Sequence, residues 1–177
     1  MIIVYFSIYC FLGYWLESFY VSLFQKKWCS SGLLKGPYIP LYGFGACILI
    51  LCQPVLITLP VVFTCLIGGI LMTLLELVSS YYIEKCFHTR CWDYSHHHLH
   101  YQGRICLSYF LLWCVLSGVF LYHIHPFITL LSLSHDACYL CSLIYISFIL
   151  KAYGERLFPS QKKVLKFIKK EDHSNLL

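Results

Sequence analysis

The sequence predicts an all-α, polytopic membrane protein of about five transmembrane helices, with the N-terminus outside and the C-terminus inside. Three observations predict it. The chain has 177 residues, is 59% hydrophobic and 12% charged, and has a mean hydropathy of +0.71. A soluble domain is usually about 25% charged. Several uncharged apolar runs approach the roughly 20 residues that cross a bilayer. All 13 lysines and arginines fall on one side of a five-span arrangement.

The spans are expected at about residues 2–24, 43–59, 61–83, 105–124 and 128–150. The first has no basic residue before it and no small-x-small cleavage site, so it reads as a retained helix and not as a signal peptide. The second is short, holds Pro54 and ends at Pro60, which predicts a kink or a tilt. A four-span alternative would fuse residues 43–83 into one broken hairpin, and the charges decide against it. Lys26, Lys27 and Lys35 lie in the first loop, Lys85, Arg90 and Arg104 in the third, and the remaining seven basic residues at or beyond Lys151. The short turns at 59–61 and 123–127 hold none. The positive-inside rule then places both long loops and the C-terminus in the cytoplasm.

Residues 1–150 form a single transmembrane domain in this reading, and 151–177 a basic amphipathic cytoplasmic tail. In the tail, Lys162–Lys170 (KKVLKFIKK) serves as a topology anchor or lies on the anionic inner leaflet. The net charge of +5 belongs to this anchoring pattern, so the expected partner is membrane lipid and not nucleic acid. The 11 cysteines are an odd set lying mostly inside apolar runs, where they act as small hydrophobes. Cys138 and Cys141 form a C-x-x-C that reads as a packed helix face rather than a redox pair. Cys29, Cys86 and Cys91, on the cytoplasmic side, are expected to be reduced.

Polar residues inside apolar spans mark the candidate site. Glu17 and Glu76 each lie about two turns from the inner end of their spans, at similar depth. Glu17 lies on a stripe with Cys10, Gly13 and Tyr20, and Glu76 on one with Gly69, Thr73 and Ser80. Small residues let helices approach, and hydroxyls satisfy a carboxyl in lipid. A carboxylate at the bilayer centre costs about 2.5–3.5 kcal/mol, so each needs a partner or a wet cavity. One reading is interhelical glue. The other is a shared polar cavity open to the inner face.

Two loops complete the set. Ser31–Gly45 (SGLLKGPYIPLYGFG) is apolar and aromatic, yet Gly36, Pro37, Pro40 and Gly43 argue against a regular helix. It is expected as a loop carrying Tyr42, either interfacial or entering the membrane edge under cover of other helices. The polar stretch from Cys91 to Arg104 (CWDYSHHHLHYQGR) joins the third and fourth spans and carries more chemistry than a connector needs. Arg104 is expected to pair with Asp93 or Glu84 first, and an anionic headgroup is its other natural partner. Trp92 and Tyr94 are placed at the interface. His96, His97, His98 and His100 match no zinc-ligand spacing, and no metal or cofactor is expected. Ser134-His135-Asp136 reads as a wet outer helix end and not as a triad. No G-x-x-x-x-G-K-[ST] loop is present, so no ATP hydrolysis is expected from this chain.

Gly13–Glu17 (GYWLE), Gly32–Pro37 followed by Pro40–Gly43, Glu76, Glu84, Trp92–Ser95 (WDYS), Gly103–Ile105 (GRI) and His125-Pro126 recur in the order and spacing of a bacterial membrane family. The chain resembles the putative ABC-transporter type IV family, the CmpB-like putative ABC transporter permeases, over about residues 5–150. Two positions depart from that pattern: Ser31 stands where the family usually has Arg, and His100 where it usually has Asn. The resemblance implies a transport subunit in the plasma membrane, a homo- or hetero-oligomer, and a separate ATPase subunit docking on the cytoplasmic loops. The residues by themselves equally allow a membrane-embedded enzyme or lipid-binding protein, with Glu17, Glu76, Asp93 and Arg104 around a headgroup.

Overall fold

The computed structural model describes residues 1–131 and 136–158. Helix α1 spans Ile2–Gln25, α2 Pro40–Leu56, α3 Val61–Phe87, α4 Leu107–Leu130 and α5 Asp136–Leu157. All but α2 are long and apolar enough to cross a membrane. At 17 residues α2 reaches only about 25 Å at 1.5 Å per residue. The tail segment Lys162–Lys170, and Ser134 and His135 of the Ser-His-Asp run, lie outside the described residues.

The interior holds many small polar side chains, and much of the surface is large and apolar. Ser7, Ser18, Thr64, Ser80, Ser117 and Ser142 are buried, whereas Phe19, Leu51, Val62 and Leu130 are exposed. That inversion fits a chain whose solvent is lipid, since apolar tails give helices no hydrophobic reason to associate and small residues must supply close packing. The closest pair is α3 with α4, where Gly68 and Gly69 lie against Ser117 and Cys114. Helix α1 meets α2 the same way, with Gly13 under Tyr42 and Gly43 against Cys10 and Phe6.

The helices alternate in direction. At one end, Tyr82 of α3 meets the Tyr153 hydroxyl of α5, and Tyr145 donates to Pro37 O at 2.8 Å. At the other end, Tyr9 of α1 meets His125 Nδ1 of α4 at 2.9 Å, Thr64 donates to Leu56 O at 2.6 Å, and the amino terminus meets the Tyr139 hydroxyl. All the lysines and arginines among the described residues lie at the first end.

Three expectations are corrected. Pro40, Tyr42 and Gly43 form the start of α2 and are not loop. Proline suits the first helical position, where its missing N–H would have no partner, and Gly43 and Gly45 are tolerated because α1 and Met72 lie directly on them. Only residues 26–39, with Gly36 and Pro37, are irregular. That loop does not spread over the surface: Leu34, Tyr38 and Ile39 are buried, and the Ile39 N–H donates to Cys10 O at 3.1 Å. The expected turn at 123–127 is helical, so the fourth span runs on to Leu130 and the fifth helix starts at Asp136. A π-helical turn at Phe120–Ile124 carries α4 into Pro126. Widening the helix there relieves the clash a proline ring makes with the preceding turn.

The stretch expected as a plain loop contains a small hairpin. Strand β1 (His100–Tyr101) pairs antiparallel with β2 (Ile105–Cys106), in the register His100↔Cys106 and Tyr101↔Ile105. Gln102 and Gly103, at φ 52° and 68°, make the turn, and the Arg104 N–H donates to Tyr101 O at 2.9 Å.

The alternation makes one arrangement testable without knowing the orientation. Reporters fused after Ser30 and Ser95 should read the same side of the membrane, and those after Leu59 and Leu131 the opposite side. A split within either pair refutes the five-helix order. Separately, Gly69→Leu should destabilise the chain by about 1–3 kcal/mol through overpacking, because a side chain there meets the Cys114 backbone at 3.1 Å. Thermal unfolding in detergent checks it.

Candidate functional site

The site is built on one face of α3. Glu76, Ser80 and Glu84 follow at intervals of four residues, which places them one above another. Each takes a bond from the polar stretch before α4. Tyr94 donates to Glu76 Oε1 at 2.8 Å, Arg104 Nη1 donates to Ser80 Oγ at 2.7 Å, and Arg104 Nη2 pairs with Glu84 Oε2. The Arg104 guanidinium also lies over the Tyr81 ring, 4.0 Å from its centroid. Arg90 supplements Glu84 at 3.2 Å. Trp92 Nε1 donates to the Arg104 carbonyl at 2.9 Å, which ties the start of the stretch to its end.

Of the two acids expected near Arg104, Glu84 is the partner. Asp93 is not. Its Oδ1 accepts the Ser95 N–H at 2.9 Å and lies against Gly103, where a Cβ would strike it. That N–H holds the Asp93 carboxyl below the usual aspartate range. The Tyr94 hydroxyl is pushed up, first by burial and then by the Glu76 charge, so it stays a donor. Among the histidines, His100 Nδ1 accepts the Gly103 N–H at 3.2 Å, and the His97 ring stands edge-on to Tyr94 and Tyr109.

Glu76 is the buried acid, at 4% exposure. Its second oxygen accepts Trp113 Nε1 from α4 at 3.0 Å. Glu17 is half-buried, and the hydroxyl of Ser31 donates to its Oε1 at 2.9 Å. Tyr42 of α2 lies between the two acids, its hydroxyl toward Glu17 and its ring 6.1 Å from that of Trp113. The shared cavity expected from matched depth is therefore realised for one acid only. A cavity of about 280 Å³ runs between α1, α2, α3 and α4, with Tyr42, Glu76 and Trp113 at one end and Tyr9, Phe120 and Ile124 at the other. Its wall is apolar but for a few groups. Glu76 lines it and Glu17 does not.

The sequence profile described as putative ABC-transporter type IV matches residues 4–153. The chain belongs to that family. No curated protein and no solved structure gives a significant match. The family match covers all five helices nearly to the end of α5 and leaves out the tail. The WDYS and GRI blocks that carry the resemblance are the two ends of the polar stretch clamped on α3. Ser31 and His100, the two positions expected to depart from the family pattern, both make contacts here: Ser31 meets Glu17, and His100 holds the Gly103 N–H.

Sequence reasoning missed Trp113 and Tyr109, and had Tyr20 only as a member of the Glu17 stripe. Tyr109 stacks on Tyr94 with centroids 4.3 Å apart and meets the Tyr20 hydroxyl at 3.2 Å, joining α4 to α1. A tryptophan inside an apolar span was itself a signal, because its N–H needs a buried acceptor.

Arg104→Ala should lower the melting temperature in detergent more than Lys85→Ala. Arg104 is 5% exposed and holds two residues of α3, whereas Lys85 is exposed. Equal losses would refute the clamp. For Asp93, a lowered native pKa stabilises the fold above the ordinary aspartate pKa of about 3.9, and this is lost as pH falls through the lowered value. The stability gap between wild type and Asp93→Asn should accordingly be full near neutral pH and close in acid, as thermal melts across pH would show.

Proposed function

We propose that the chain is the membrane-embedded transport subunit of a bacterial plasma-membrane complex, working as a homo- or hetero-oligomer with a separate ATPase, and that the cavity at Glu76 is where its cargo passes. Family membership carries this reading. Its support is the form of the bundle: a multi-pass helical chain with no nucleotide-binding loop, whose helices border a half-open space that ends at an anchored carboxylate. The basic end faces the cytoplasm in this proposal, as the positive-inside rule directs. The clamped stretch and the 26–39 loop then face the ATPase.

The alternative of an enzyme grouping Glu17, Glu76, Asp93 and Arg104 around one headgroup draws no support from the side chains. Glu17 meets Ser31, Asp93 caps its own turn, and Arg104 is engaged by Ser80 and Glu84.

Affinity purification of the full chain at native expression in mild detergent should bring down an ATPase subunit in near-stoichiometric amount. A chain that purifies without one overturns the proposal. Glu76→Gln should keep its melting temperature, since the amide can accept from Trp113 and donate to the Tyr94 oxygen, while transport by the reconstituted complex falls at least tenfold.

A further inference from the structure

The cavity has a chemical bias. Tyr42, Trp113 and Phe120 contribute aromatic surface, Glu76 contributes a carboxyl, and among the described residues no lysine, arginine or histidine lines it. The nearest guanidinium expected from the sequence, that of Arg104, is engaged by Ser80, Glu84 and the Tyr81 face. Ser117, 1% exposed, also lines the wall, and its hydroxyl has no hydrogen-bond partner. A carboxylate accepts at about four lone-pair sites, and Tyr94 and Trp113 account for two bonds.

We propose that this cavity binds a small lipophilic cation, an ammonium on an aromatic or aliphatic body, and that this is the substrate class of the transport site. The inference rests on the reading of the cavity as the cargo site. A cation gains from the Glu76 carboxylate and from the faces of Trp113 and Tyr42, and quaternary ammonium groups are the familiar ligands of such aromatic enclosures. An anion would meet Glu76 with no cationic side chain, among the described residues, lining the cavity to offset the repulsion. For the same reason the ammonium of a phospholipid headgroup is disfavoured, because its phosphate would enter beside it unpaired. The volume of about 280 Å³ is near the lower end of pockets for small organic ligands, roughly 300–1,000 Å³.

The probe is benzyltrimethylammonium, titrated by calorimetry into the purified full chain in detergent, with benzyl alcohol and benzenesulfonate as neutral and anionic analogues. Saturable binding of the cation is expected, at least tenfold tighter than either analogue. Glu76→Gln should weaken the cation at least tenfold while leaving benzyl alcohol unchanged. Unchanged benzyl alcohol binding shows that the Glu76→Gln cavity is intact, and Lys85→Ala, exposed and outside the cavity lining, should retain cation selectivity. Equal affinity for cation and alcohol, or unchanged cation affinity in a folded Glu76→Gln, overturns the proposal. An ATPase that co-purifies with a chain binding no cation overturns the substrate class and leaves the transport reading standing.

Discussion

The structure depends on the polar face of α3. Glu76, Ser80 and Glu84 give the stretch before α4 three anchoring points in register, beside the Tyr94–Tyr109 stack and the bond from the Tyr81 hydroxyl to Gln102. Its strands are two residues each, and a lone hairpin is marginal in water. Its order therefore comes from Tyr94 and Arg104 reaching α3 and from Trp92 closing back on the Arg104 carbonyl. The dependence runs the other way too. Without Tyr94, Glu76 would lose a donor at a largely buried position, where a poorly satisfied carboxylate is costly. A segment at the membrane surface thus completes a group inside the bundle.

The second requirement is the approach of α4. Trp113 reaches Glu76 because Gly68 and Gly69 let Ser117 and Cys114 lie on the α3 backbone. The glycines are needed for distance and not for backbone freedom, since both are helical. Gly13 under Tyr42 does the same for α1 and α2 and holds that ring between Glu17 and the cavity. In lipid such contacts replace the hydrophobic drive of a soluble core, which is why small and hydroxylated residues sit at the helix contacts while many large apolar ones point outward.

Much of this was legible in the sequence, and its signals were long-range averages. Mean hydropathy and the placement of basic residues predicted the helices and the sharing of one end by both long loops. Glu17 and Glu76 stood out as charges where charges are expensive, and Glu84 and Arg104 as charges gathered at one face. What stayed hidden was local geometry set by neighbours. Pro126 looked like a stop, but a π-turn absorbs it. Gly43 and Gly45 looked like breakers, but their helix is held by packing on both sides. Asp93 and Glu84 were indistinguishable as partners for Arg104, because the difference lies in the Gly103 turn that draws Asp93 to Ser95. Tyr109 and Tyr20 acquire meaning only once α4 and α1 are neighbours.

The two membrane glutamates show why depth alone cannot assign a role. Glu17 is half-buried and takes a hydroxyl from a nearby loop, whereas Glu76 is held by donors from two different elements. Trp113 can only donate, so rotating the carboxyl away would leave a buried N–H without an acceptor, at a cost of about 1–3 kcal/mol. That fixes the Glu76 carboxyl in place and leaves its remaining lone pairs for a third donor or a charge. A cavity occupant can therefore join the carboxylate without displacing Tyr94 or Trp113. A group held still in this way loses little freedom on binding, which is how preorganisation favours a ligand. The same bonds that make Glu76 acceptable as a structural group within the membrane make it suitable as a binding group.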